Sequence, residues 1–161
     1  MGVALYPGSF DPIHNGHIAV IESVSEVFER VVVAVANNSR KVGFAPAADR
    51  VSLIEQSTKH LSNIEVVMFS GLTIDIAREL QVSCLVKGVR NTSDFDDEMA
   101  QAAMNAASGS ARTLLVPGFG SHGLVSSRFV REIAAKGGDV SDSVPPPVVE
   151  YLSSSNPSRQ V

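Results

Sequence analysis

With 161 residues, 44% of them apolar and 19% charged, the chain has the make-up of about one globular domain, which excludes a wholly disordered or collagen-like polymer. Seventeen acidic residues against thirteen basic ones leave a formal charge of −4, the wrong sign for a dedicated nucleic-acid binder, so any polyanion it handles is small. A domain of this length buries roughly 70% of the surface its unfolded chain exposes and needs no disulfide or metal staple.

In chain order, Gly2 to Tyr6 is a short apolar run ending in Pro7-Gly8, which predicts a strand entering a loop. Ile18, Ile21, Val24 and Phe28 recur about once per helical turn with Glu22, Glu26 and Glu29 between them, the pattern of an amphipathic helix. Val31 to Ala36 is β-branched, too short for a helix and polar on neither face, as in a strand buried on both sides of a parallel sheet. A polar loop over 37–46 precedes a helix over 47–60, a strand over 64–69 and a helix over 73–80. A strand over 84–87, a helix over 94–107, a strand over 113–116 and a helix over 126–136 follow, and Gly137-Gly138 stops the last. Val144-Pro-Pro-Pro147 leaves room for one more short helix, with proline tolerated in its first turn. The Ser-rich residues 153–161 read as a flexible tail, so the domain is 1–152.

Strands separated by helices imply right-handed crossovers. The expectation is a single-domain α/β, Rossmann-like doubly wound fold, with a five-stranded parallel sheet carrying helices on both faces. In such sheets ligands sit beyond the carboxyl ends of the strands, here just after Tyr6, Ala36, Phe69, Lys87 and Val116. No apolar run approaches the roughly 18 residues of a membrane span, and the first residues lack a basic n-region and a long apolar h-region. The lone Cys84 fits a reducing compartment, and the cytoplasm is expected. Phe10, Phe28, Phe69, Phe95 and the methionines are assigned to the core.

Four segments carry chemistry. The Gly/Pro-rich loop Tyr6-Pro-Gly-Ser-Phe-Asp-Pro-Ile-His-Asn-Gly-His17 joins the first strand to the first helix, whose unpaired N–H groups favour an anion. His14 and His17 can add imidazole N–H donors on one side of it, and Gly16 permits close approach. As metal ligands the two histidines supply only two donors with no third nearby, so no protein metal site is assigned. Asp11 is expected to hold the loop by bonding nearby backbone. The second segment, Asn37 to Gly43, places Arg40 and Lys41 at a strand end, where a lysine can follow phosphoryl charge. In the third, Val86 to Glu98, Lys87 and Arg90 can clamp anions, while Asp94, Asp96 and Asp97 complement a helix dipole. In the fourth, Gly120 to Arg131, Ser126 or Ser127 is placed to cap the last main helix, and the free N–H groups there can instead meet a triphosphate.

The first loop has neither Gly-x-Gly-x-x-Gly nor Gly-x-x-x-x-Gly-Lys-Ser/Thr. His14-Asn-Gly-His17 resembles the His-x-Gly-His signature of the nucleotidylyltransferase superfamily. With the preceding Tyr6-Pro-Gly-Ser-Phe-Asp-Pro12, the chain from about residue 4 to about residue 151 resembles the phosphopantetheine adenylyltransferases. The resemblance implies catalytic roles for His17 and Lys41. It implies ATP contacts from Ser9, Phe10, His14, His17, Gly88, Arg90, Glu98, Val125, Ser126, Ser127 and Arg128. Ser9, Lys41, Thr73, Lys87 and Asn105 would contact phosphopantetheine. Arg40 has no counterpart, and three residues depart from the pattern: Arg128 stands where a third serine is usual, His122 where an aromatic residue is common, and Gln101 where a leucine is usual.

What the resemblance implies is in-line attack of the 4′-phosphopantetheine phosphate on the α-phosphorus of ATP, giving dephospho-coenzyme A and pyrophosphate on the way to coenzyme A. Mg²⁺ would arrive with the nucleotide. The partners are ATP, 4′-phosphopantetheine and dephospho-coenzyme A or coenzyme A, in a homohexamer, with no nucleic acid or membrane. Two alternatives stand beside it: a cytidylyl- or nicotinamide mononucleotide adenylyltransferase, and a nucleotide-binding relative with little turnover, suggested by Arg128, His122 and Gln101.

Overall fold

Strands and helices alternate as far as α5 (Ser127–Ala135) in the computed structural model, which describes residues 2–37, 43–108, 112–118 and 123–154. The order is β1 (Val3–Gly8), α1 (Asn15–Ser25), β2 (Arg30–Ala36), α2 (Ala47–Thr58), β3 (Ile64–Phe69), α3 (Thr73–Glu79), β4 (Cys84–Val89), α4 (Thr92–Ala107), β5 (Arg112–Pro117), α5 (Ser127–Ala135) and α6 (Pro146–Ser154). All paired strands run parallel in the order β3-β2-β1-β4-β5. The expected doubly wound α/β fold is present, and its winding reverses between β1 and β4.

That reversal opens the sheet. β1 pairs with β2 along its whole length, from Val3↔Arg30 to Gly8↔Val35, but with β4 only at Ala4↔Cys84 and Leu5↔Leu85. Beyond Leu5 the two strands part, and a crevice begins at their carboxyl ends.

Successive residues of a strand face opposite sides, so two cores form. Ala4, Tyr6, Val31, Val33 and Val35 pack with Ile21 and Val24 of α1, Leu53 and Ile54 of α2, Val130 of α5, and Val148 and Leu152 of α6. Leu5, Val32, Ala34 and Leu85 face the other way and pack with Ala77 of α3. The buried valines of β2 are apolar on both faces because both faces are covered.

Tertiary contacts move several predicted ends. β4 continues to Val89 because its ladder with β5 runs through Val89↔Pro117, so Gly88 and Val89 join Lys87 as strand residues. α4 begins at Thr92, where the Asn91 side chain accepts from the Asp94 N–H at 3.0 Å. Asp94 therefore stands in the first turn, whereas Asp96 and Asp97 lie beyond the reach of the N-terminal dipole. After α5 the chain turns with Gly137 at φ 76°; the Gly138 N–H donates to Ile133 O and the Gly137 N–H to Ala134 O. The optional last helix forms as α6 and runs through Ser154, and the rest of the expected tail, 155–161, lies outside the described residues.

One part of the core assignment is corrected. Phe95, Met68, Met99 and Met104 are exposed rather than buried, because they lie on outer faces of β3 and α4 that no other element among the described residues covers. No helix among the described residues is long and apolar enough to cross a membrane.

Candidate active site

A cavity of about 440 Å³ occupies the crevice. Its floor is Tyr6, Pro7 and Gly8 of β1 with Lys87, Gly88 and Val89 of β4; its walls come from Ser9, Phe10, the start of α1, Arg90, Glu98, Gly118 and the start of α5. Two glycines are required by close approach. A Cβ on Gly8 would lie 2.9 Å from the Phe10 ring, and one on Gly88 would lie 3.1 Å from Val20 and 3.3 Å from the Tyr6 hydroxyl. Phe10 is itself in the left-handed region at φ 46°, followed by a cis Asp11–Pro12 bond. Its buried ring meets Tyr6 and His17 edge-on, with centroids 5.2 and 5.0 Å away.

The histidines form a reciprocal cap. His14 precedes α1 in an extended conformation, and its Nδ1 accepts from the His17 backbone N–H at 3.3 Å. His17 Nδ1 accepts from the His14 backbone N–H at the same distance. This is a capping box built from imidazoles, which holds the two rings stacked with centroids 3.6 Å apart. Burial, assisted by Arg90, lowers the His14 pKa to about 4. Burial, then His14 and Arg90, holds His17 well below its usual range. A neutral ring whose Nδ1 accepts carries its proton on Nε2. Each histidine in the cleft wall is therefore a neutral Nε2–H donor.

Cations surround these donors. Arg90 leaves the end of β4, where its Nε donates to Asp94 Oδ2 at 2.7 Å and its Nη1 to the Val125 carbonyl at 3.1 Å. Asp94 thus orients an arginine as well as meeting the helix start. Lys87 Nζ lies 2.9 Å from Glu98 Oε2 and donates to Gln101 Oε1 at 3.3 Å. At α5 the two serines divide their roles: Ser126 Oγ caps the helix by accepting from the Phe129 N–H at 3.3 Å, and Ser127 Oγ donates to the Pro12 carbonyl at 2.8 Å. Arg128 lines the cavity, exposed, with its guanidinium 5.3 Å from the Phe129 ring and 3.4 Å from Glu132.

The structure therefore gathers Ser9, Phe10, His14, His17, Lys87, Gly88, Arg90, Glu98, Ser126, Ser127 and Arg128 around one cavity. Val125 reaches it through its carbonyl on Arg90. Thr73 and Asn105 are not among the described residues lining it. Thr73 opens α3, after a strand two positions from β1, and Asn105 is in the last turn of α4, about two turns beyond Glu98. Lys41, Arg40 and His122 lie outside the described residues.

Three supports were not read from the sequence as they occur. Arg50, buried in α2, donates to the carbonyls of Ser9 at 2.6 Å, Ala45 at 3.1 Å and Ala36 at 3.2 Å. Asp11 holds the loop through distant backbone rather than nearby backbone, accepting from the N–H groups of Phe44 at 2.7 Å and Ala45 at 2.9 Å. Arg131 lines the cavity and donates to the Asp11 carbonyl. Its place one helical turn after Arg128 was the available signal. No local pattern marked Arg50, since its partners are carbonyls of other segments. Among the described residues, no three His, Cys, Asp or Glu side chains come together to hold a metal.

A family profile described as cytidylyltransferase-like matches residues 5–133. The chain is 43% identical over 149 residues to the phosphopantetheine adenylyltransferase of Finegoldia magna, covering 92% of each. It is 44% identical over 154 residues to the one of Alkaliphilus metalliredigens, covering 95% of this chain and 98% of that one. It is 42% identical over 153 residues to the one of Haemophilus influenzae strain 86-028NP, covering 94% and 98%. A solved structure described as a nicotinate-nucleotide adenylyltransferase of Vibrio parahaemolyticus superposes with a TM-score of 0.69 over 94% of this chain and 98% of that one; at 20% identity it speaks for the fold.

Proposed function

The chain belongs to the phosphopantetheine adenylyltransferase family and transfers the adenylyl group of ATP to 4′-phosphopantetheine in coenzyme A biosynthesis; we propose that the cleft between β1 and β4 is where it does so. The observation that carries this placement is the reciprocal His14/His17 cap, which turns two neutral Nε2–H donors toward a cavity walled by Lys87, Arg90, Arg128 and Arg131. The relatives' shared name disfavours a cytidylyl or nicotinamide mononucleotide acceptor.

The attacking phosphate is anionic near neutral pH, so the step needs no protein nucleophile or base. Positioning and charge stabilisation carry the catalysis. One oxygen of 4′-phosphopantetheine bonds to the α-phosphorus as the bond from that phosphorus to the pyrophosphate oxygen breaks. His17 donates to the α-phosphoryl oxygen where charge accumulates, with His14 beside it. Ser9 and Phe10 set the substrate at the end of β1. Arg90, Gly88 and Glu98 take the nucleoside side, and Val125, Ser126, Ser127 and Arg128 receive the leaving pyrophosphate at the start of α5. Lys41, Lys87, Thr73 and Asn105 complete the phosphopantetheine side, with Lys41 neutralising developing charge. ATP enters as its Mg²⁺ complex. Asp94 and Glu98 are already engaged by Arg90 and Lys87, which supports an ion held by phosphate oxygens and water.

The same reading makes the chain a cytoplasmic homohexamer. Supporting self-association, α4 buries none of its 16 residues within the chain. Phe95, Met99 and Met104 on it, with Leu114 of β5, are exposed.

The test mixes purified protein with ATP, Mg²⁺ and 4′-phosphopantetheine, following pyrophosphate release and product mass. Dephospho-coenzyme A at steady turnover is the expected result. ATP binding without product would point to the low-turnover relative instead.

A further inference from the structure

Tyr6 is the first residue of β1 past the last β1–β4 pair, Leu5↔Leu85, and so stands where the sheet opens. Its side chain is 5% exposed and lines the cavity. Phe10 packs edge-on against its ring at 5.2 Å, and His17 meets it at 6.4 Å. Its hydroxyl occupies the space left by the missing Gly88 side chain, in the fields of Arg90 and Glu98. Among the described residues no protein group pairs with this hydroxyl, and its oxygen keeps an opening onto the cavity.

A tyrosine with a buried ring normally keeps its O–H on a partner, and here the only open side is the cavity. A phenylalanine would make the same ring contacts but present no donor to the cavity. Burial also raises the phenol's pKa, so the group is a proton donor throughout the working pH range. What is missing is an acceptor, and the cavity is where it enters.

We propose that Tyr6 is a further substrate-contacting residue of adenylyl transfer, its hydroxyl donating to an oxygen of the bound nucleotide. The proposal rests on the reading of this cleft as the ATP site, because the hydroxyl's neighbours Gly88, Arg90, Glu98 and His17 are the residues assigned there to ATP.

The chain has two tyrosines, and Tyr151 donates to Asp49 of α2 at 3.0 Å, so a [13Cζ]tyrosine-labelled protein gives two signals that Tyr6→Phe assigns. Saturating Mg²⁺–ATP is expected to move the Tyr6 signal and leave that of Tyr151. Tyr6→Phe is expected to lower kcat/KM for ATP about tenfold, the loss of roughly one hydrogen bond, and to leave the KM for 4′-phosphopantetheine within twofold. Its thermal midpoint should match that of the parent, since the ring contacts are kept and the hydroxyl bonds no protein group among the described residues. The proposal is overturned if the parent turns ATP over while the Tyr6 signal stays still and the variant remains within twofold. A variant whose lost activity follows a lowered midpoint overturns it too, by making the hydroxyl structural. A parent protein that neither binds nor turns over ATP sinks the reading of the cleft and this proposal together.

Discussion

At His14 and His17, each imidazole serves the backbone through one nitrogen and the cleft through the other. Because Nδ1 is occupied by the cap, the donor facing a ligand is Nε2–H, and burial keeps the ring neutral. On the proposed reading that donor is aimed at developing charge and acts mainly in the transition state. His17→Ala should therefore lower kcat on the order of 100-fold or more while KM for ATP changes far less, as steady-state kinetics would read; an effect confined to KM would remove the transition-state role. The same burial has a pH consequence. His14 titrates at about 4 in the folded chain and near 6.5 when unfolded. Above pH 6.5 both states are neutral and nothing changes. As pH falls from 6.5 toward 4 the unfolded chain takes up a proton that the folded chain refuses, so stability drops, by up to about 3 kcal/mol from this group. Denaturant melts between pH 6.5 and 5 should show that fall, with a shallower slope in His14→Asn, which keeps an N-cap acceptor. An unchanged slope would exonerate His14.

Among the elements, the connections at the ends of β1 and β2 carry the site, and they are tied to one another. Arg50 joins the carbonyls of Ser9, Ala36 and Ala45, while Asp11 receives the N–H groups of Phe44 and Ala45. The segment between Ala36 and Ala45, which includes Lys41, thus has both ends fixed to the loop that carries Ser9. Arg50→Gln leaves one buried and two part-buried carbonyls without their donor, and we expect a loss of about 2–4 kcal/mol in chemical denaturation together with a reduced kcat. Arg50→Lys, with one cation and fewer directed donors, should recover part of the stability but less of the rate. Equal recovery of both would show that Arg50 supports the fold alone.

For the molecule as a whole, the cation-lined cleft sits in a chain of net charge −4, so the positive field is local and suits a small polyanion. The uncovered α4 face belongs to this scale as well. Met104→Glu, at a side chain 72% exposed, should leave the monomer's fold intact while shifting sedimentation toward smaller species. Unchanged sedimentation would place any interface elsewhere. The sequence by itself determined the alternation of elements, because β-branched runs and apolar residues one helical turn apart report local periodicity. It also determined most of the cleft, because Ser9, His14, His17, Gly88 and Arg90 lie in short segments at strand ends where that periodicity breaks. Tertiary structure alone decided the rest. The reciprocal tautomers depend on how two backbone N–H groups are presented, the Arg50 staple gathers carbonyls from three separated segments, and Tyr6 faces the cleft only because the β1–β4 ladder stops at Leu5. Phe95 and Met104 read as core because hydropathy reports what a residue prefers; which face of α4 finds a partner within the chain is settled only when the sheet is assembled.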